Sequence, residues 1–279
     1  MDRESEQFCR LAGAGDDAAS LAEAALVIGR DVYPDLDVAA ELTHLHELGA
    51  KLRARLPEDL VITARLHALN RYLFDELGFR GNDDAYYDPR NSYLNELLAR
   101  RLGIPITLAI VYLCVGQTIG LKLRGVSFPG HFLVSLSCPD GLVVLDPFAA
   151  GRSHSEASLR EKLSHVAGET DAAVLPLGGF LEPSDNRQIA LRMLRNLKSI
   201  YQKRGEHDKT LLVLQRMLLL APEIAAEWRA RAEAYHKLEC FRAALNDYQH
   251  YLSLEPEAPD RREVEALVLQ LRESCAKIN

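Results

Sequence analysis

The 279-residue sequence predicts an α+β fold followed by an all-α region, and three observations predict it. Residues 18 to 79 place Leu, Ala, Val and Ile at three- and four-residue spacings, the period of a helix face. After Gly120 the period changes to short runs rich in Val, Leu and Phe, the pattern of strands. From Asn186 onward the helical period returns with a 34-residue offset, seen in Pro222 and Pro256 and again in Tyr201 and Tyr235.

Taken in order, LAEAALVIGRDVYP and DVAAELTHLHELGAKLRARL are two helices punctuated by Pro34 and Pro57, and VITARLHALNRYLFDELGF is a third that runs to Gly78. GNDDAYYDPR is a loop of turn formers, in which Asp83 and Asp84 are solvated and Tyr86, Tyr87 and Asp88 are candidates to line a cleft. Asn91 or Ser92 then caps LNELLARRLG, with Glu96 favouring its first turn. Gly103 closes that helix and Pro105 opens PITLAIVYLCVGQTIG, apolar on nearly every side and therefore buried. LKLRGVSF, HFLVSLS and GLVVLDPF are three strands, the last two folded antiparallel by the turn CPDG. That hairpin places His131 and Asp146 on adjacent strands within hydrogen-bond reach. Residues 149 to 185 hold one helix, EASLREKLSHVAG, and the loops around LPLGGFLEPSDN divide the chain into 1–185 and 186–279.

Composition excludes several function classes. A net charge of −7 and the lack of a basic recognition helix argue against nucleic-acid binding. The N-terminus, MDRESEQFCR, is no signal peptide, and no run of about 18 apolar residues occurs, so the expected setting is the cytoplasm with no membrane contact. Cys9, Cys114, Cys138, Cys240 and Cys275 are odd in number and dispersed, which suggests neither a disulfide framework nor a zinc site. His44 and His46, two apart, do not share a helix face. No metal and no cofactor are expected.

The 34-residue period resembles the tetratricopeptide repeat, a helix hairpin. In the second repeat, 225–258, Trp228, Ala232, Tyr235, Ala244, Tyr248 and Pro256 fall at the repeat's usual places. The first, 191–224, keeps Leu194, Leu197, Tyr201, Gly205, Leu214 and Pro222, but has Lys198 and Thr210 where small residues are usual, so looser packing is expected. RREVEALVLQLRESCAKI is a capping helix. The resemblance implies binding of a protein or peptide by the repeat helices, marked by Leu194, Tyr201, Trp228 and Tyr235, residues whose own part is mostly packing.

The order helix, strand, His-strand, Asp-strand resembles the transglutaminase-like superfamily, whose papain-like core carries Cys at a helix N-terminus and then His and Asp on successive strands. More closely, NSYLNELLARRLGIPITLAIVYL, GVSFPGHFLVSL and LDPFAAGR, followed by the repeats, look like the bacterial SirB-type invasion-regulator family. The resemblance places His131 and Asp146 on the superfamily's His and Asp, and Thr107 at or near its Cys. Cys114 lies about two turns too far along the helix to serve. A threonine hydroxyl is a far weaker nucleophile than a thiolate, so the resemblance implies a non-catalytic, partner-binding protein. The alternative is a hydrolase or acyl-transferase with His131 as base, Asp146 as orienter and Thr107, Ser92 or a bound water as the attacking group.

Overall fold

A computed structural model describes residues 3–138, 141–168 and 175–278, and the chain divides into two units, Arg10–Met193 and Met1–Cys9 with Leu194–Asn279. A helix that the polar N-terminal sequence does not announce, α1 (Arg3–Ala12), comes first. The apolar spacing of residues 18 to 79 becomes α2 (Ala18–Arg30), α3 (Val38–Arg53) and α4 (Ile62–Asn70), the last continuing as a π-helical turn over Arg71–Glu76. Asp17 and Asp37 start α2 and α3 by accepting from Ser20 N and Ala40 N.

Two boundaries at α5 (Leu94–Arg100) differ from those the sequence predicts. Neither Asn91 nor Ser92 caps it: Tyr93 is its N-cap residue and makes no side-chain cap bond. Asn91 and Ser92 belong instead to a 3-10 turn, Pro89–Ser92, opened by the Asp88 carboxylate accepting from Arg90 N. Nor does Gly103 end α5. Arg101 does so at φ 63°, because β2 (Leu102–Gly103) is already paired in parallel with β1 (Arg80–Gly81). Then α6 (Pro105–Thr118) begins, buried at every residue from Pro105 to Gly116, as its all-round apolar sequence requires.

The antiparallel sheet has four strands rather than three: β3 (Leu123–Val126), β4 (Leu133–Cys138), β5 (Gly141–Asp146) and β6 (Arg152–His154), in that spatial order. The fourth was hidden because RSH is short and polar. Pro139 and Asp140 of CPDG lie outside the described residues; the strands they join are antiparallel, with Cys138 opposite Gly141. Both faces of the sheet are covered. Val134, Leu136 and Leu145 join the core around α6, while Leu133 and Val144 pack on the other side with Leu159 and Leu163 of α7 (Glu156–Ala167) and Leu177 of α8 (Leu177–Phe180). A Cβ at Gly116 would collide with the Leu123 side chain, so glycine sets the closeness of α6 to β3.

From Asn186 the described residues form the five predicted helices: α9 (Asn186–Arg204), α10 (His207–Leu220), α11 (Ala225–Lys237), α12 (Phe241–Leu254) and α13 (Arg261–Ile278). Ala232, Ala244 and Tyr248 pack between α11 and α12, and Val264, Val268 and Leu271 of α13 extend that core. Lys198, at a place where the repeat usually has a small residue, reaches across to the buried Glu227 of α11 at 2.6 and 2.8 Å. In the same unit, α1 packs against α10: Phe8 is fully buried beneath the Arg216 guanidinium, which also bonds Glu4 at 2.8 Å.

Candidate functional site

The site is built on Asp146, the last residue of β5, 2 % exposed. Strand alternation puts Asp146 on the same side as Val144, facing α7. A sharp return follows it, through the 3-10 turn Pro147–Ala149, Ala150 at φ 56° and Gly151 at φ 72°. Gly151 N donates to Asp146 O at 2.8 Å, and Asn70 Nδ2 donates to Gly151 O at 3.2 Å. A Cβ at Gly151 would strike the Asn70 side chain, so the turn requires glycine on both counts. The return brings β6 back beside β5, with His154 opposite Val144.

Two imidazoles consequently meet one carboxylate. His131 Nε2 lies 2.9 Å and His154 Nε2 3.3 Å from Asp146 Oδ2. Lys162 Nζ of α7 stands 3.6 Å from the same oxygen, and Oδ1 accepts from Phe148 N at 3.0 Å. Burial alone would raise the Asp146 carboxyl, but the hydrogen bond and charge of His131, the His154 hydrogen bond and the Lys162 charge outweigh it and hold the group at about 2. An ionised carboxylate only accepts, so each neutral histidine carries its proton on Nε2 and presents Nδ1 as an acceptor.

What meets Nδ1 separates the two. His154 Nδ1 lies 2.8 Å from Ser158 Oγ, on the first turn of α7. His131 Nδ1 has no hydrogen-bond partner among the described residues. The predicted contact of His131 with Asp146 is present, although His131 stands in the turn before β4 rather than on a strand, with its N–H on Phe128 O at 3.1 Å. Gly130, at φ 68°, allows that turn. Arg192 donates to His131 O at 2.7 Å, and the ring of Phe148 lies edge-on to the imidazole. Tyr86 extends this aromatic wall, 6.1 Å from Phe148 and 5.3 Å from the exposed Tyr87.

The remaining sequence candidates are not joined to His131. Thr107 is fully buried, and its hydroxyl is spent on its surroundings: it lies 2.8 Å from Asn91 O and 3.1 Å from Ile104 O and accepts from Ile104 N at 3.2 Å. Ser92 is 1 % exposed. Asn91 is also buried and ties the tyrosine loop together, donating to Ala85 O at 2.7 Å and accepting from Asn82 at 3.0 Å. Cys114 hydrogen-bonds to Ala18 O, and burial, with the Asp17 charge, pushes its thiol up to about 12. Among the described residues no group of three or more His, Cys, Asp and Glu side chains is placed to hold a metal ion, and no helix is long and apolar enough to cross a membrane.

In the repeat unit, Leu194 and Tyr201 are fully buried and Trp228 and Tyr235 half-buried. Trp228 donates to Pro222 O at 2.8 Å, and the Arg231 guanidinium lies over both Trp228 and Tyr235. They act as packing. A groove of about 760 Å³ opens instead beside α11, lined by Thr210, Ala230, Glu233, Lys237, Phe241 and Tyr248 among others.

Sequence reasoning missed His154, Ser158, Lys162 and Phe148. The signal was slight: SHSEAS combines an N-cap serine with a second serine three residues on and a histidine just before, a pattern that helix capping alone accounts for.

Comparison with known proteins agrees with this architecture. Residues 39–195 match the family model described as "Transglutaminase-like superfamily", and residues 197–268 that described as "Tetratricopeptide repeat". The chain is similar to the UPF0162 protein of Xylella fastidiosa (strain Temecula1), 43 % identical over 249 residues that make up 88 % of each chain. It is also similar to the UPF0162 protein of Vibrio cholerae, 31 % identical over 244 residues, 87 % of this chain and 89 % of that one.

Proposed function

Because the chain belongs to the transglutaminase-like superfamily and carries tetratricopeptide repeats, we propose that it is a regulatory, partner-binding protein whose core performs no thiol chemistry at His131. The observation that carries this reading is the state of Thr107. A hydroxyl that is fully buried and committed to the backbone oxygens of Asn91 and Ile104 is not free to be activated by an imidazole. The alternative, hydrolysis or acyl transfer with His131 as base, would then depend on a bound water as the attacking group. The groove beside α11 is the surface that a peptide or protein partner would occupy, walled by Ala230, Phe241 and Tyr248 and carrying Glu233 and Lys237. This proposal retains the division into 1–185 and 186–279 and a cytoplasmic setting, supported by five dispersed, free cysteines that suit a reducing compartment.

The test has two arms. Amine incorporation and thiol-dependent peptide hydrolysis are measured for the full chain and for Thr107→Cys, and partner capture is compared between the full chain and Ala230→Arg, which fills the groove. Thiol-type turnover should be absent from the natural chain, and partners held by the natural chain should be lost from Ala230→Arg. Turnover by the natural chain that disappears in His131→Ala would overturn the reading of the core. Partners retained by a folded Ala230→Arg would overturn that of the groove.

A further inference from the structure

We propose that Ser158, His154 and Asp146 form a serine-hydrolase relay that cleaves esters of apolar carboxylic acids in a cleft beside α7. The inference is independent of the partner-binding reading, and it assigns the chemistry to the opposite imidazole from the one the superfamily pattern singles out. Its geometry is that of a nucleophile, a base and an orienter in series: Ser158 Oγ at 2.8 Å from His154 Nδ1, and His154 Nε2 at 3.3 Å from Asp146 Oδ2. The protonation state follows from the chemistry of the groups. Asp146 is ionised and only accepts, so Nε2 of His154 holds the proton and Nδ1 receives the Ser158 O–H, as a general base must.

Three further observations separate this arrangement from a casual hydrogen bond. First, Ser158 is released from capping duty, because Ser155 is the N-cap and its Oγ accepts from Ser158 N at 3.3 Å. Second, Ser158 stands in the first turn of a 12-residue helix and leans toward its N-terminus, where first-turn amides lack intrahelical partners and favour a developing oxyanion. Third, His154, the base that holds the half-buried Ser158 hydroxyl, lines a cleft of about 390 Å³ with Leu142, Val144, Leu159, Leu177 and Leu181, and Ser158 stands behind it rather than in the lining. That volume is within the range of ligand pockets, and Leu142 and Leu181 offer apolar surface for an acyl chain beside a rim made polar by His154, Glu156 and Arg160. Glu156 and Arg160, also on the lining, pair with each other at 2.9 and 3.1 Å, so the rim adds no net charge against an uncharged ester.

The reaction balances with water as the only co-substrate. Ser158 Oγ attacks the ester carbonyl carbon while its proton passes to His154 Nδ1. The ester C–O bond then breaks and the imidazolium returns that proton to the departing alkoxide, leaving acyl-Ser158. A water molecule gives a proton to His154 Nδ1 and attacks the acyl carbon; the bond between the acyl carbon and Ser158 Oγ breaks, the imidazolium returns the proton to Ser158 and the carboxylic acid leaves. Asp146 holds the imidazole orientation and stabilises its charge throughout.

The experiment uses the full chain with p-nitrophenyl acetate, butyrate and octanoate, together with a fluorophosphonate probe whose adduct is located by peptide mass spectrometry. The expected result is a fluorophosphonate adduct on Ser158, turnover that favours the longer acyl chains over acetate, and a loss of at least about a hundredfold in kcat/KM for Ser158→Ala and His154→Gln. Ser164→Ala, on the same helix but bonded to Glu161 O, serves as the control that retains the rate. Labelling of the natural chain needs no variant to fold, and circular dichroism melting verifies those that are used. Absence of a Ser158 adduct, or turnover that survives Ser158→Ala, would show that the hydroxyl merely fixes the His154 tautomer and would overturn the proposal.

Discussion

The starts of α6 and α7 make an instructive pair. Each has a β-hydroxyl at its third residue, Thr107 in one and Ser158 in the other, yet the two hydroxyls do different things. In α6 the N-cap residue is Ile104, whose side chain accepts nothing. Thr107 bonds back to Ile104 N and is locked to Asn91 O as well. In α7 the N-cap is Ser155, which satisfies the Ser158 amide and leaves the Ser158 hydroxyl to His154. The two hydroxyl caps serve different donors, the third-residue amide in α7 and the N-cap residue's amide in α6. The partners that each hydroxyl meets, backbone groups in α6 and an imidazole in α7, set it as structural in one and available for chemistry in the other.

The comparison can be broken most severely at the carboxylate the α7 site depends on. Asp146→Ala removes the acceptor for His131, His154, Lys162 and Phe148 N, and should cost about 3 kcal/mol of unfolding free energy in urea titrations. A loss below about 1 kcal/mol, the value of an exposed pair, would mean that the cluster is not the anchor described.

A smaller effect comes from titration of the same group. Its folded value of about 2 lies below the ordinary 3.8, so its stabilisation is fully present above about pH 4 and is lost as pH falls through 2. The amount is about 2 kcal/mol, and the acid limb of the stability curve should lose that contribution in Asp146→Asn. An unchanged acid limb in that variant would assign the acid sensitivity to other carboxylates.

The two helix starts can be weighed directly. Thr107→Val keeps the shape but leaves the buried Ile104 N and Asn91 O only their long 3.4 Å bond to each other, and should lower stability by about 1 to 2 kcal/mol. Ser155→Ala removes an exposed cap and should cost about 1 kcal/mol or less. Thermal melts that reverse this order would show that α6 is capped by something other than Thr107.

Much of the fold was legible because it rests on local pattern. The burial of α6 follows from a sequence with no polar face, and the repeat helices follow from the 34-residue offsets, which fix Trp228 and Tyr235 at packing positions. The hairpin placing His131 against Asp146 was legible for the same reason. β6 was not, since three residues reading RSH carry no apolar alternation and pair only because the turn at Gly151 returns them to β5. The misread caps have a comparable cause: Asn91 has a capping side chain, but tertiary contacts with Asn82 and the Ala85 carbonyl claim it first.

By itself, then, the sequence determined most of the helices and three strands of the antiparallel sheet, that one helix is wholly buried, that a hairpin repeat ends the chain, and that no cysteine stands at the first turn of α6. These depend on the period and chemistry of neighbouring residues. Only the tertiary structure decided that Asp146 serves two histidines, that Thr107 is sealed, and that Ser158 meets His154 beside a cleft. Hydrogen bonds of side chains across separate elements depend on distances of a few tenths of an ångström, which no local periodicity encodes.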